Sequence, residues 1–389
     1  VNRQSIRVAH VTTIDASLRL LLLNQLTALR AKGYDVSGLS ADGPDVPTLR
    51  AAGVHHIPIP TSRRFTPLED LRALFFLLRV MRREKFSVVH THTPKAGLLG
   101  QYAALLAGIP VRVHTIHGLY FPGHMNPRAR FLYVLLERIT MAFSHYNFSQ
   151  NPEDIAVILE EKISRPDRLE LIGNGIDIRA FDPALQPPEK RSTMRVSLGL
   201  TNEHLVVGVV ARLVDEKGYR EMFRAVETIR MKEPRARFIF VGGFDPSKSD
   251  AIPLDTLHGL GISDVAQFLG HRNDVPDLYA IMDVHVLPSH REGFPRSPME
   301  ASAMGVPSVV TNVRGCRQTV DDGVTGRIVP ARDPHALATA IEELLGDPLK
   351  RRAFGSAARA KALMEFDEQV VFARITAAYE RLLSELAER

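Results

Sequence analysis

Short runs rich in Val, Ile and Leu alternate with longer amphipathic stretches almost from end to end, and this alternation constrains the chain more than any other feature. A brief apolar run bounded by turn formers reads as a strand buried on both faces, and the amphipathic stretch after it reads as the helix that crosses back over the sheet. Repetition of that unit produces a parallel sheet with helices on both sides. In the first half the pattern predicts strands at 6–12, 35–39, 87–93, 112–116 and 146–149, with helices near 18–32, 68–83, 95–107 and 130–143. Turn formers then gather over residues 174–191, at Asn174-Gly175, Asp182-Pro183 and Pro187-Pro188, ahead of a charged stretch, as in a linker. The alternation restarts with strands at 205–210, 238–241, 265–269, 284–287, 308–310 and 327–329 and helices near 219–232, 275–281, 297–304, 333–345, 348–364 and 367–387. Two Rossmann-like, doubly wound parallel-sheet domains are therefore predicted, 1–185 and 186–366, followed by a terminal helix over 367–389. Ligands of open α/β sheets lie outside the carboxyl ends of the strands, so the two domains are expected to face a central cleft lined by the loops that follow strands.

Composition narrows the function classes. The only cysteine, Cys316, allows neither an intramolecular disulfide nor a cysteine-rich metal cluster. No opening segment reads as a signal peptide, and the longest apolar runs, such as 205–211, fall far short of the roughly 20 residues that span a bilayer, so a cytoplasmic location is expected. Residues 1–150 carry 18 Lys and Arg against 8 Asp and Glu. That excess calls for an anionic partner: nucleic acid, a membrane surface or a phosphorylated small molecule. Nucleic acid is disfavoured because the basic residues lack interleaved stacking aromatics and a recognition-helix module. A nicotinamide or P-loop enzyme is disfavoured because the chain has no G-x-G-x-x-G after its first strand and no G-x-x-x-x-G-K loop.

Four stretches carry chemistry. In 209–218, VVARLVDEKG, a strand runs into a loop bearing Arg212 and Lys217 just before a helix. A guanidinium fork, an ammonium and a positive helix end converge there, which suits a diphosphate whose charge grows as it leaves. In 292–300, EGFPRSPME, Glu292 and Glu300 bracket a loop and the first turn of a helix. Glu300 would accept hydroxyls of a sugar or ribose, and Gly293 would let a ligand meet backbone N–H groups. His117, in HTIHG at 114–118, ends a strand and has a side chain whose unperturbed pKa lies near neutrality. In HTHTPKAG at 90–97, alternation sets His90 and His92 on one face while Lys95 opens a helix; with no third ligand adjacent in sequence, an acceptor or phosphate contact by His92 and Lys95 is favoured over a metal.

These motifs resemble family 4 of the retaining glycosyltransferases, which have the GT-B fold. The likeness rests on ARLVDEKG at 211–218 followed by the two glutamates at 292 and 300, and extends to Asn174-Gly175-Ile176-Asp177 and to DGVTG at 322–326. The resemblance implies that Arg212 and Lys217 bind the donor diphosphate, that Glu292 with the backbone of Gly293 and Phe294 holds the donor sugar, and that Glu300 takes the ribose hydroxyls. It places Gly270, His271 and Arg272 near the base and His117 near the reaction centre, where the imidazole would accept hydrogen bonds or shuttle a proton. Residues 90–97, with Val11-Thr12-Thr13 and Ser17-Leu18-Arg19, are similar to the branch that builds capsular and other surface polysaccharides. Thr13, Asp15, His92 and Lys95 are the acceptor contacts that follow. The implied reaction moves a sugar, with retention, from a nucleotide diphosphate, UDP in the first instance, to a lipid-linked or other glycan acceptor. Without a D-x-D motif, neither a metal nor another cofactor is expected. A small soluble acceptor, and a nucleotide-sugar epimerase, are the alternatives. Two departures stand out: many family members place two glycines after the first strand, where this chain has Thr12-Thr13-Ile14-Asp15-Ala16-Ser17, and Pro295, Arg296 and Ser297 replace the usual Gly, Leu and Pro. Arg296 would meet either a charged sugar or water.

The stretch 68–85 is rich in Leu and Phe, and its Glu69, Arg72, Arg79 and Arg83 make one helical face that also carries Phe76. With Arg63, Arg64, Phe65, Arg82 and Lys85, it reads either as a core helix with a solvated basic face or as a peripheral contact with an anionic membrane. The terminal helix, opened by Asp367, carries Val370, Val371, Phe372, Ile375, Ala378, Tyr379, Leu382 and Leu383, and is expected to pack back on the first domain.

Overall fold

The computed structural model describes residues 6–64, 66–121, 125–244, 250–253, 259 and 261–388. It forms two compact units, residues 1–173 with 370–389, and residues 174–369.

The first unit holds seven parallel strands: β1 (Arg7–Ile14), β2 (Asp35–Ala41), β3 (His55–Pro58), β4 (Val88–His92), β5 (Val111–Ile116), β6 (Tyr146–Ser149) and β7 (Leu169–Leu171). Their order is β3-β2-β1-β4-β5-β6-β7. The strands are apolar on both faces because each face carries a helical layer. Val8 and Val88 enter a core with Leu22, Leu26, Phe372 and Tyr379, while their neighbours Ala9 and Val89 enter another with Leu77, Met81 and Ala103. The second unit holds β8 (Leu205–Val210), β9 (Ala236–Val241), β10 (Ala266–Gly270), β11 (Val284–Leu287), β12 (Ser308–Thr311) and β13 (Gly326–Val329), all parallel, in the order β10-β9-β8-β11-β12-β13. Val207 and Phe238 feed one layer, Val206 and Ile239 the other.

In each sheet the winding reverses beside the first strand, between β1 and β4 and between β8 and β11. The loops leaving those strand pairs diverge and open a crevice at their carboxyl ends.

The elements depart from the sequence reading where the apolar signal is thin. β3 and β7 are short edge strands, too brief to show a period. Residues 18–31 form one turn of π-helix (Leu18–Leu22) before the α-helix Leu23–Ala31. Pro188–Ser197 is a helix inside the stretch that reads as a linker; none of its side chains is fully buried, so it shows no apolar stripe. The units divide at 173/174 instead of 185/186, because Ile176 packs with Met299, Ala303, Ala362 and Phe366 and exchanges backbone hydrogen bonds with Phe366 and Glu368. The helix Glu368–Ala387 is tied by Asp367, whose Oδ1 accepts the Gln369 N–H at 2.9 Å. From Val370 onward it belongs to the first unit, where Val371, Phe372, Ile375, Ala378 and Tyr379 are buried beneath the sheet.

Candidate active site

In the second unit, β8 ends at Val210 and the chain turns through a 3-10 segment, Asp215–Lys217, into the helix Tyr219–Lys232. The turn works because Gly218 has φ +73, and because a Cβ there would run into the Pro288 carbonyl at the end of β11. The absence of one side-chain atom thus lets the two crevice loops touch, with Lys217 at the helix N-terminus. Its ammonium is 2.5 Å from Glu292 Oε1, which also accepts the Ser289 hydroxyl at 2.7 Å. Glu292 Oε2 has no partner among the described residues. Arg212, by contrast, is exposed and its guanidinium pairs with no described group.

The glutamate loop is clamped from three sides. Arg291 forks onto Glu216 at 3.2 Å through both Nε and Nη2, the His290 N–H donates to Glu216 O at 2.8 Å, and Thr311 donates to Ser289 O at 2.5 Å. Gly315, with φ +85, lies so close behind the loop that a Cβ would stand 2.5 Å from Gly293 O. Asn174 donates to Phe294 O at 2.8 Å, and the Phe294 ring meets Phe366 edge-on. Arg296 pairs with Glu368 at 3.5 Å.

Glu300 lies in the helix Arg296–Ala303, which begins one residue earlier than its sequence suggests and leaves Glu300 beyond the first turn. Its environment is therefore set less by the helix dipole than by Tyr279, whose hydroxyl lies 3.1 Å from Glu300 Oε2 and 3.0 Å from Ser297 O. Burial raises the carboxyl above its usual range, with the Arg296 guanidinium and the tyrosine bond pulling the other way. At the end of β10, Gly270 adopts φ +64, and beyond it His271 is exposed and Arg272 forks onto Asp274 at 2.7 and 2.5 Å. The loops after β8 and β11, with the helix Arg296–Ala303, thus bring Arg212, Lys217, Glu292, Gly293, Phe294 and Glu300 to one edge of one sheet, and Gly270, His271 and Arg272 lie on that edge at the end of β10, two strands from β8.

The first unit's crevice is more enclosed. Thr13 and Thr93 share a hydrogen bond of 3.0 Å across the ends of β1 and β4. Asp15 is buried and accepts the Asp45 N–H at 2.8 Å. Lys95 is buried too, its ammonium paired with Asp70 and donating to Arg64 O at 2.6 Å. His92 is fully buried with both ring nitrogens in hydrogen bonds, to His10 and to His117, each 3.0 Å. His117 is partly exposed and reaches Gln150 Oε1 at 3.1 Å with its other nitrogen. His90 stacks on His92 at 4.3 Å, as alternation predicts. A third buried histidine, His10, joins them from β1, and the three have ring nitrogens within 4.8 Å of one another. Those of His90 and His92 are already engaged, His90 by Tyr379 at 2.5 Å and Thr115 at 2.6 Å, so the group is a hydrogen-bonded cluster in this structure.

Sequence spacing gave no access to Tyr279, Gly315, His10 or Gln150, which reach the sites from segments far off in the chain; Ser289, three residues before Glu292 in the same loop, was within its reach. Thr93 also went unmarked. It is a β-branched residue at φ +65, held by its bond to Thr13 and by the Gly97 N–H to its carbonyl, and such strain concentrates at functional sites.

Two parallel-sheet units of this topology, one with an open cationic crevice and paired glutamates, define a glycosyltransferase of the GT-B class. The sequence matches the model of the glycosyl transferase 4-like domain over residues 21–175 and that of glycosyl transferases group 1 over residues 190–361, and the chain belongs to this family. It is 28% identical to the capsular polysaccharide biosynthesis glycosyltransferase CapM of Staphylococcus aureus over 97% of this chain and 98% of CapM. It is 26% identical, over 88% of both chains, to an Escherichia coli UDP-Gal:alpha-D-GlcNAc-diphosphoundecaprenol alpha-1,3-galactosyltransferase. In fold it is similar to HepE of Anabaena, solved in complex with UDP and glucose, with a TM-score of 0.83, 22% identity and coverage of 97% of this chain and 100% of HepE.

Proposed function

We propose that this glycosyltransferase moves a sugar from a UDP-linked donor to a hydroxyl of a lipid-diphosphate-linked glycan in surface polysaccharide synthesis, retaining the anomeric configuration and using no metal. The observation that carries the reading is the pairing of an exposed, unpartnered Arg212 with Lys217 at a helix N-terminus on the second unit's switch point. Diphosphoundecaprenol in the name of the E. coli relative and the capsular role in that of CapM support the acceptor class, and UDP in the HepE complex supports the base.

In this reading Arg212, Lys217 and the helix end neutralise the departing diphosphate. Glu292, with Oε1 fixed by Lys217 and Ser289, offers Oε2 to a donor-sugar hydroxyl, and Glu300, steadied by Tyr279, takes the ribose. The acceptor hydroxyl attacks C1 on the face the diphosphate leaves. The C1–O bond to phosphate breaks as the new C1–O bond forms, and the hydroxyl proton passes to the departing phosphate oxygen. Thr13 and Asp15 lie at the first unit's switch point, where the acceptor would bind. His92 and Lys95 would act there through their internal bonds. A glycosyl-enzyme trapped on Glu292 would overturn this route.

An anionic membrane surface would present the acceptor. No helix among the described residues is long and apolar enough to cross a membrane. The helix Pro67–Glu84 does expose Leu68, Leu71, Phe75 at 61% and Phe76 at 38% beside Arg72 and Arg79, following exposed Arg63 and Arg64; Phe65 lies outside the described residues. The helix Pro127–Phe143 exposes Phe131 and Leu132. Apolar side chains among arginines suit a headgroup layer.

Thermal shift with UDP, GDP, ADP and NAD, with and without Mg²⁺, tests the donor site. A UDP-selective, metal-independent stabilisation lost in Glu300→Ala is expected; a ligand at about 100 times its Kd adds about 2.7 kcal/mol. Absence of any diphosphate-dependent shift would refute the reading.

A further inference from the structure

Four side chains form one line through the first unit. Gln150 Oε1 lies 3.1 Å from His117 Nδ1, His117 Nε2 lies 3.0 Å from His92 Nδ1, and His92 Nε2 lies 3.0 Å from His10 Nδ1. At the inner end His10 Nε2 is buried without a partner. The residues come from β1, β4 and the segments after β5 and β6, so only the sheet order assembles them.

We infer that Gln150, His92 and His10 are positioning residues that hold His117 in a single tautomer, its proton on Nδ1 and its Nε2 lone pair occupied. A neutral imidazole has one N–H and one lone pair. Three rings joined in series supply three protons for three bonds, and the carbonyl oxygen of Gln150 fixes the direction of all of them. His117 donates to Gln150, His92 donates to His117, and His10 donates to His92. The proton count then leaves one lone pair over, on His10 Nε2, where the buried unpartnered atom is found. Burial keeps the rings neutral, taking His10 to about 3 and His117 to about 4, and His92 well below its ordinary value. The titratable neighbours bearing on the line are His90 of β4, His114 within β5, and Tyr379 of the terminal helix, which engages His90. His90 flanks the line by stacking on His92 and lies 5.1 Å from His10, centroid to centroid.

For the reaction, and resting on the function proposed above, a locked His117 is no general base: its lone pair is filled by an internal donor. The acceptor proton therefore goes to the departing phosphate, and His117 serves the site by shape and fixed dipole.

Long-range ¹H–¹⁵N spectra of histidine-labelled protein read tautomers directly, with the resonances assigned from His10→Asn, His92→Asn and His117→Asn. Expected at pH 7 are Nδ1–H forms for all three rings, unchanged on titration to pH 5.5. Gln150→Glu, which places a carboxylate against Nδ1–H, should draw a proton onto the line, so that a ring begins to titrate between pH 5.5 and 8. An Nε2–H form at His117, or titration of wild-type His117 near 6.5, would overturn the inference, as would a shift of the His10 and His92 ring-nitrogen resonances on adding one equivalent of Zn²⁺, which would make the cluster of His10, His90 and His92 a metal site. Should Gln150→Glu fail to fold, the wild-type tautomers and titration still decide. UDP-induced thermal shift, measured on the same sample, separates the outcomes: normal tautomers without a UDP shift refute the donor reading alone, and a UDP shift with the wrong tautomer refutes the lock alone.

Discussion

Lys217→Met tests whether the ammonium serves the leaving group or only the fold. Lys217 sits 2.5 Å from Glu292, and both side chains are largely buried, at 17% and 9% exposure. A charge-assisted hydrogen bond of this kind contributes about 1.5–3 kcal/mol to stability, so Lys217→Met and Glu292→Gln should each lower the free energy of unfolding by roughly that amount. Activity should separate them. A preorganised cation aimed at the departing diphosphate is worth about 3–4 kcal/mol of transition-state stabilisation, which at about 1.4 kcal/mol per decade is a loss of a few hundred-fold in kcat/KM. If the ion pair were purely structural, the double variant Lys217→Met with Glu292→Gln would regain most of the turnover, because neither charge would be stranded. If Lys217 neutralises the diphosphate, the double variant stays at least as slow as Lys217→Met. The assay is the initial rate of transfer from a UDP-sugar to a polyprenyl-diphosphate-linked acceptor, with urea unfolding of the same preparations. Lys217→Met turnover within about threefold of wild type, or recovery in the double variant, would refute the role assigned to this residue.

Four other outcomes are expected. Gly315→Ala forces an L-residue to φ +85 at a cost of about 1–2 kcal/mol and drives its methyl toward Gly293 O, so UDP-dependent thermal shift should weaken while the apo protein remains folded; unchanged UDP affinity would show that the 292–294 backbone is not part of the donor site. Phe75→Glu combined with Phe131→Glu should abolish co-sedimentation with anionic liposomes at low salt without lowering the melting temperature, since both side chains are exposed; retained sedimentation would remove this face from the membrane proposal. Acid should destabilise the fold early, because His10, His114 and His285 are held to about 3 and His117 to about 4 in the native state against about 6.5 unfolded. Their lowered values favour the native state fully above pH 6.5 and progressively less as the pH falls toward 3–4, so the unfolding free energy from urea titrations should drop between pH 7 and 5, by up to about 2 kcal/mol for each ring; a flat profile would contradict the buried neutral histidines. Tyr379→Phe removes the partner of His90 Nδ1 and should destabilise the first unit by about 1 kcal/mol in urea unfolding, linking the end of the chain to its first sheet.

The two-sheet architecture was legible because it rests on local signals. Strands such as Leu205–Val210 and Ala236–Val241 are rich in Val, Ile and Phe that must be buried, and long helices such as Tyr219–Lys232 carry a full apolar stripe. The two charged pairs were legible for a related reason: Arg212 and Lys217 fall within one loop before a helix, and Glu292 and Glu300 within one loop and the helix after it, so spacing alone keeps each pair together. Elements held by few buried side chains left no trace. β3 and β7 are short edge strands, and the helix Pro188–Ser197 buries nothing fully, which is why it reads as a linker.

Chemistry that depends on sheet order was invisible. His90 and His92 are paired by strand alternation, and the sequence shows that much. That His10 completes their cluster, that Gln150 fixes the direction of the line through His117, and that Tyr379 closes it from the last helix follow from placing β1, β4, β5 and β6 side by side. Lys95 reads as a ligand contact from its position at a helix start, yet the packed unit surrounds its ammonium with Asp70 and Arg64 O. By itself the sequence determined the strongly apolar elements, the two-unit plan and the placing of Arg212 and Lys217 in one loop, since these arise from periodicity and short-range spacing. The tertiary structure alone decided which charges stay exposed, as Arg212 does, and which are neutralised by neighbours, because burial and hydrogen-bond partners come from residues far apart in the chain.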